Sequence, residues 1–418
     1  MDFRLQGISH GVLPIDENDG ARVNGLPGRA GLSDNHQEPF FTMNFFLSTD
    51  LCIGVNEALS VHEHLRALGV KKPGIIYDAN LTESLYFQDV LRNINAGYSN
   101  CAIYCNEFRG EPTYAHLENV AEFFRRESPD GLVAIGGGST IDLGKGIALL
   151  MTNNVPALSL KGFPKDVSDP VPLITVPSLL GSGAEVSFNA VFIDEAEGRK
   201  LGINSRKNFP KRSVIDPKLS MTAPMESVVA SAMDSLVHCV DSFGSLKHTS
   251  MSRMFSIEGF QRTFYALQQG QLDRAESRLD LAIGSVCGVT ALMNSGDGPT
   301  NGFAYYVGVK HKVPHGLAGA IFLKEVMRYN VDQGYDKYAM LNPMSIGVSA
   351  KEASAELLEQ MDSLYLQLSI PNLAPYGYGK GNKAELARNA SMALSGSFAG
   401  NPVEFNEQSA NVVIDALI

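Results

Sequence analysis

Residues 131–150, GLVAIGGGSTIDLGKGIALL, join a short apolar run to a helical pattern through three consecutive glycines and a serine. The run reads as a strand and the pattern after it as a helix. Gly136, Gly137 and Gly138 let the backbone turn sharply and approach a ligand closely. The helix that follows offers unpaired N–H groups and a positive dipole end, which suits a pyrophosphate. The spacing is not GxGxxG, and the same stretch also reads as a plain strand-to-helix turn.

Similar units flank it. NEALSVHEHLRALGV (56–70) spaces Leu59, His62, Leu65 and Leu68 as a helix does, and PGIIYDAN (73–80) is a short buried strand. EPTYAHLENVAEFFRRESPD (111–130) is a second amphipathic helix and VPLITVPS (171–178) another strand. Strands alternating with helices imply a parallel sheet with crossover helices. After Asp216-Pro217 the apolar residues keep helical spacing through most of 224–418. The expectation is an α/β domain over 43–217 and an all-α domain over 218–418, with a ligand cleft between them. Residues 1–42, rich in Gly, Asp, Asn and Pro, read as a flexible extension or an arm packed on a neighbour.

Composition narrows the function. A net charge of −11 without basic clusters argues against nucleic acid and anionic membrane as partners. Five scattered cysteines, an odd number, argue for a reducing compartment, and Cys101 and Cys105 lack the second pair that a zinc site needs. No signal-peptide pattern and no run of about 18 apolar residues is visible, so a cytoplasmic protein is expected.

Two further stretches carry chemistry. MESVVASAMDSLVHCVDSF (225–243) reads as a helix after Pro224, with Asp234 and His238 on one face, where both reach one divalent ion. His315, in VPHG, sits in a rigid turn that aims its ring. Three protein ligands and an open position make a catalytic metal site. VPSLLGSGAEVS (176–187) is a second Gly/Ser loop after a strand, able to hold ribose or phosphate. Asp78 ends a strand, where a carboxylate accepts hydrogen bonds from a ribose and repels a 2′-phosphate; it is equally a helix cap.

Taken together, GGGSTIDLGKG, GSGAE, Asp216-Pro217, MDSLVHCVD and PHG resemble the iron-containing (group III) alcohol dehydrogenases, relatives of glycerol dehydrogenase and dehydroquinate synthase. The resemblance covers about 45–418. It implies a Rossmann-like dinucleotide-binding domain, a helical domain, and NAD with Fe²⁺ or Zn²⁺ between them. Gly136, Gly137, Gly138 and Ser139 then meet the pyrophosphate, and Asp142 belongs to the same cofactor-binding stretch. Ser178, Leu179 and Ser182 fall where the family has nucleotide-lining threonines, Leu179 removing one hydroxyl. Lys200 falls near the nicotinamide ribose, and Asp78 on the acid associated with NAD over NADP. Asp234, His238 and His315 match three metal ligands, with Asn301 at the place of the fourth. A small alcohol or aldehyde substrate and a homo-oligomer, a dimer in the first instance, are implied.

Asn301 leaves four readings open. Its amide oxygen coordinates, or three ligands and water suffice, or His311 or Asp297 substitutes, or the metal is lost. Tyr305 stands where the family often has a further histidine, as in branches that act on phosphonate aldehydes and sugar acids. It reads as a proton donor and catalytic residue, or as a packed aromatic. His62, His64, His116 and His248 read as surface or structural. The expected function is an NAD- and metal-dependent alcohol dehydrogenase or aldehyde reductase. The alternatives are a specialised biosynthetic oxidoreductase and a non-catalytic nucleotide-binding homologue.

Overall fold

The chain is known as a computed structural model that describes residues 43–342, 345–394 and 396–418. The extension expected over 1–42 lies outside the described residues.

Six strands form one parallel sheet: β1 (Asp50–Ile53), β2 (Pro73–Asp78), β3 (Ala102–Asn106), β4 (Gly131–Gly136), β5 (Leu173–Pro177) and β6 (Arg212–Ile215), in the order β1-β6-β5-β4-β2-β3. In register, Val133 faces Ile75 on one side and Ile174 on the other, so β4 is central. Its alternate side chains feed two cores. Val133 and Ile135 join Ile75, Ile174 and Val214 under α1 (Val61–Ala67) and α2 (Leu85–Gly97). Leu132 and Ala134 join Ile76 and Leu173 under α3 (Tyr114–Glu127) and α4 (Gly138–Leu150). Burying an aliphatic side chain of this size stabilises by roughly 1.5–3 kcal/mol, which is why the strands read as unbroken apolar runs.

The chain leaves β2 towards β3 at one edge and leaves β4 towards β5 on the other side. The crevice beyond the carboxyl ends of β2 and β4 is therefore a topological switch point, where open parallel sheets bind ligands. Two short antiparallel ribbons, 189–190 with 203–204 and 193–194 with 199–200, follow β5.

Beyond Ile215 the chain is helical: α5 (Met225–Gly244), α6 (Ser250–Gln269), α7 (Ala275–Met293), α8 (Pro299–His311), α9 (His315–Asp332), α10 (Ala350–Leu368), α11 (Lys383–Ala393) and α12 (Glu407–Asp415). Helix α5 is buried over nearly its whole length and packs with α6 and α7 in one core. The expected α/β-then-helical order is what the structure has. Among the described residues, no helix is long and apolar enough to cross a membrane.

Candidate active site

Two clusters meet along α5. The first is built mainly from backbone. Gly137 is the N-cap of α4, so its first N–H groups open onto the end of β4. A Cβ on Gly136 would stand 2.9 Å from Thr140 Cβ and 3.0 Å from Asp78 Cβ, contacts no rotamer change relieves. Ser178 N donates to Gly136 O at 2.9 Å, fastening the second loop to the first. From that loop, Leu179 covers Gly137 and Ser182 covers Gly138.

Asp78 does cap the next turn: its Oδ1 accepts from Asn80 N at 3.0 Å. It also lines a cavity of about 340 Å³ with Asn80, Asn106, Phe108 and Arg109. Asn106 and Arg109 escaped the sequence reading, because their loop joins the cavity only when β3 pairs with β2. Asp142 is occupied structurally: its Oδ2 accepts from Val191 N at 3.0 Å and Lys145 Nζ stands 3.5 Å from Oδ1. Burial pushes its carboxyl up to about 6, with Lys145 opposing. Ser139 stays at the mouth of α4, partly buried.

The second cluster is built from side chains. Asp234 and His238 sit one turn apart on α5, and His238 Nε2 is 3.7 Å from Asp234 Oδ1. His315 Nε2 comes to 3.9 Å from the same oxygen. The PHG sequence explains this approach. Pro314 caps α9, His315 is its first residue, and Gly316 lies flat on α5. A Cβ on Gly316 would be 2.0 Å from Ala230 O and 2.8 Å from Asp234 Cβ, so only glycine lets the helix end close in. Burial, with Lys200 nearby, pushes the His315 imidazole down to about 3, so it is neutral with a free lone pair at neutral pH.

Asn301 is 1% exposed on α8. Its backbone N donates to Asp241 Oδ2 on α5 at 3.1 Å, and its Nδ2 donates to Asp297 Oδ1 at 3.0 Å. Tyr305, one turn on, meets the His315 ring edge to face at 5.2 Å between centroids. Lys200 Nζ stands 5.6 Å from the Tyr305 ring centre and 2.7 Å from Glu111 Oε1. Glu111, close to the start of α3, was not foreseen. Burial first, then Asp297 and other carboxylates, push the Tyr305 hydroxyl well above the usual phenol range. His311 points elsewhere, to Tyr378 Oη at 2.9 Å. Of the other histidines, His62 and His248 bond nearby carbonyls and His64 meets Arg212.

Does the second cluster suit a divalent ion? Asp234 Oδ1 and Asn301 Oδ1 are buried without a hydrogen-bond partner, and it is Nε2 of His238 and of His315 that turns to the Asp234 oxygen. Buried polar atoms are seldom left without a partner. One carboxylate, two imidazoles and an amide oxygen suit Fe²⁺ or Zn²⁺. Among the described residues, no three His, Cys, Asp or Glu side chains already stand as a closed metal set. The 3.7 and 3.9 Å separations must shorten to ~3.4 Å, the spacing that ~2.1 Å bonds give at a tetrahedral angle. The change required is about 0.3 and 0.5 Å, small beside the reach of side-chain torsions. The donor set fits.

Residues 48–217 match the family model for iron-containing alcohol dehydrogenase, and residues 228–417 match the C-terminal model of the same family. The chain belongs to the iron-containing alcohol dehydrogenase family. Family relatives include the NAD-dependent methanol dehydrogenase of Bacillus methanolicus, 25% identical over 83% of this chain and 93% of the relative. The 4-hydroxybutyrate dehydrogenase of Cupriavidus necator is 29% identical over 66% of this chain and 74% of its own. A crystal structure of a 1,3-propanediol oxidoreductase has the same fold, with a TM-score of 0.84, 24% identity, and 90% and 100% of the two chains covered.

Proposed function

We propose that this chain is an NAD-dependent, metal-dependent alcohol dehydrogenase, working also as an aldehyde reductase on small substrates. One observation carries the reading: two imidazoles from different helices converge on one buried carboxylate oxygen that has no other partner. Family membership supports it, and the NAD-dependent relative supports the choice of cofactor. When bound, Fe²⁺ or Zn²⁺ supplies Lewis acidity towards a hydroxyl or carbonyl oxygen, and nicotinamide carries the hydride.

Each residue then has a task. Asp234, His238, His315 and the Asn301 oxygen hold the cation. Gly136, Gly137, Gly138 and Ser139, with the start of α4, receive the pyrophosphate. Leu179 and Ser182 close over this turn from the loop that begins at Ser178. Asp78, free at its second carboxylate oxygen, accepts from the adenosine ribose and disfavours NADP. Asp142 supports from behind, fixing the ribbon at Val191. Lys200, with its side chain 4% exposed and paired to Glu111, is the cation beside the nicotinamide ribose. Tyr305 keeps its proton over the whole working range and donates it as a hydrogen bond to the substrate oxygen.

The test is NADH oxidation by full-length protein, purified with its metal, against a panel of short aldehydes, beside calorimetric NAD binding. Turnover with at least one short aldehyde is expected. Metal-loaded protein that binds no NAD, or binds it and turns over none of them, overturns the reading.

A further inference from the structure

The amide of Asn301 is held in one orientation by a neighbour. A carboxylate only accepts hydrogen bonds, so Asp297 Oδ1, 3.0 Å away, takes the NH₂ end of the amide. The oxygen end is thereby turned outward, and it is this atom that is buried with no partner. The backbone of Asn301 is fixed as well: Asp241 Oδ2 accepts from its N–H at 3.1 Å and from Gly298 N at 3.2 Å. Asp297, Asn301 and Tyr305 succeed one another at four-residue steps, on one side of α8 and the turn before it. Along that line Asp241 meets Asn301, Asp297 interacts with His238, and Tyr305 meets His315. Asn301 stands between Asp297 and Tyr305 in this series, the two residues that lie near His238 and against His315.

We propose that Asp297 is a positioning residue for the metal site: it locks and polarises the Asn301 amide so that a neutral side chain serves as the fourth ligand. This rests on the metal-dependent reading above. The hydrogen bond draws electron density from N–H towards the amide oxygen, and the fixed orientation removes the rotational cost of binding. Asp297 itself does not touch the ion.

The experiment is a Zn²⁺ titration of metal-stripped, full-length protein against a chelating indicator dye, with NAD binding and the melting curve as fold controls. Asp297→Leu keeps volume and removes the acceptor; Asp297→Asn keeps an acceptor oxygen. Asp297→Leu is expected to weaken Zn²⁺ by roughly 10- to 100-fold, the usual effect of losing a ligand's hydrogen-bond partner. Asp297→Asn is expected to recover part of that loss. Asn301→Ala should weaken Zn²⁺ about as much as Asp297→Leu, and the double variant no further, because the two act through one atom. Unmodified protein that binds Zn²⁺ while Asp297→Leu binds it equally well would overturn the proposal alone. So would a further loss when Asp297→Leu is added to Asn301→Ala, which would make Asp297 a ligand in its own right. Unmodified protein that binds neither Zn²⁺ nor Fe²⁺ overturns the metal-dependent reading and this inference with it.

Discussion

The glycine turn after β4 and the buried cluster on α5, α8 and α9 are made of different material. The turn at 136–139 works through backbone: what matters there is what the residues lack. The cluster on α5, α8 and α9 works through buried side chains with unpaired atoms. The first depends on shape, the second on the chemistry of its donors as well as on the close fit at Gly316. Helix α5 joins them. A Cβ on Gly181 would lie 1.9 Å from Ser231 O, and Ser235 Oγ donates to Gly181 O at 3.2 Å, so the loop that begins at Ser178 rests directly on the helix that carries Asp234.

The sharpest way to break this contrast is Asp234→Ala. Metal retention should vanish and kcat/KM fall by at least ~10³-fold, about 4 kcal/mol. NAD affinity, measured by calorimetry, should stay within a few-fold. A parallel loss of NAD binding would show that the two sides are one site.

Glu185 tests the seam between them. It lies near Lys145 of α4, and Ser285 of α7 donates to it at 3.4 Å. Burial pushes its carboxyl up to about 7, above an unfolded value near 4.5. A raised carboxyl favours the native state when protonated. Its contribution is therefore complete below pH ~4.5 and is lost as pH rises through ~7. Glu185→Gln cannot titrate, so its melting point should gain on the unmodified protein from pH ~4.5 to ~7 and then level off. The upper bound is on the order of 3 kcal/mol. A constant difference across that range would contradict it.

Gly136→Ala should cost roughly 1–3 kcal/mol of stability, because Thr140 Cβ and Asp78 Cβ cannot rotate away. NAD affinity should drop with it while metal content, by elemental analysis, does not. The smallest effect expected is at Asp78→Ser. Removing the carboxylate should raise the NADPH-to-NADH ratio of kcat/KM by ~10-fold, about 1.4 kcal/mol. An unchanged ratio would move cofactor choice to Arg109 and Asn80 in the same cavity.

What could be read beforehand follows the same contrast. The strand–glycine–helix unit is contiguous, so 131–150 disclosed β4, its turn and α4 within a residue or two. Asp234 and His238 share one helix and were visible as a pair. Helix α2 and strand β3 left little trace, since β3 is an edge strand with only its end residues, Ala102 and Asn106, buried. Partners from distant segments were the hardest to see. Glu111 and Lys200 are separated by 89 positions, and nothing local marks them as neighbours. Asp297 was one of two candidates near Asn301. Only the fold shows His311 turned to Tyr378 and Asp297 turned to the amide.

Asp234 and His238 on α5, Asn301 on α8 and His315 on α9 have a thermodynamic corollary. A cation held by all four, as proposed, would be gripped by three helices at once and would bind the native chain and scarcely the unfolded one. By linkage it raises the unfolding free energy by RT ln(1 + [L]/Kd), about 2.7 kcal/mol at a hundredfold excess over Kd. The melting temperature of this chain is then itself a binding isotherm, and a thermal scan against metal concentration reads the affinity of the cluster with no substrate present.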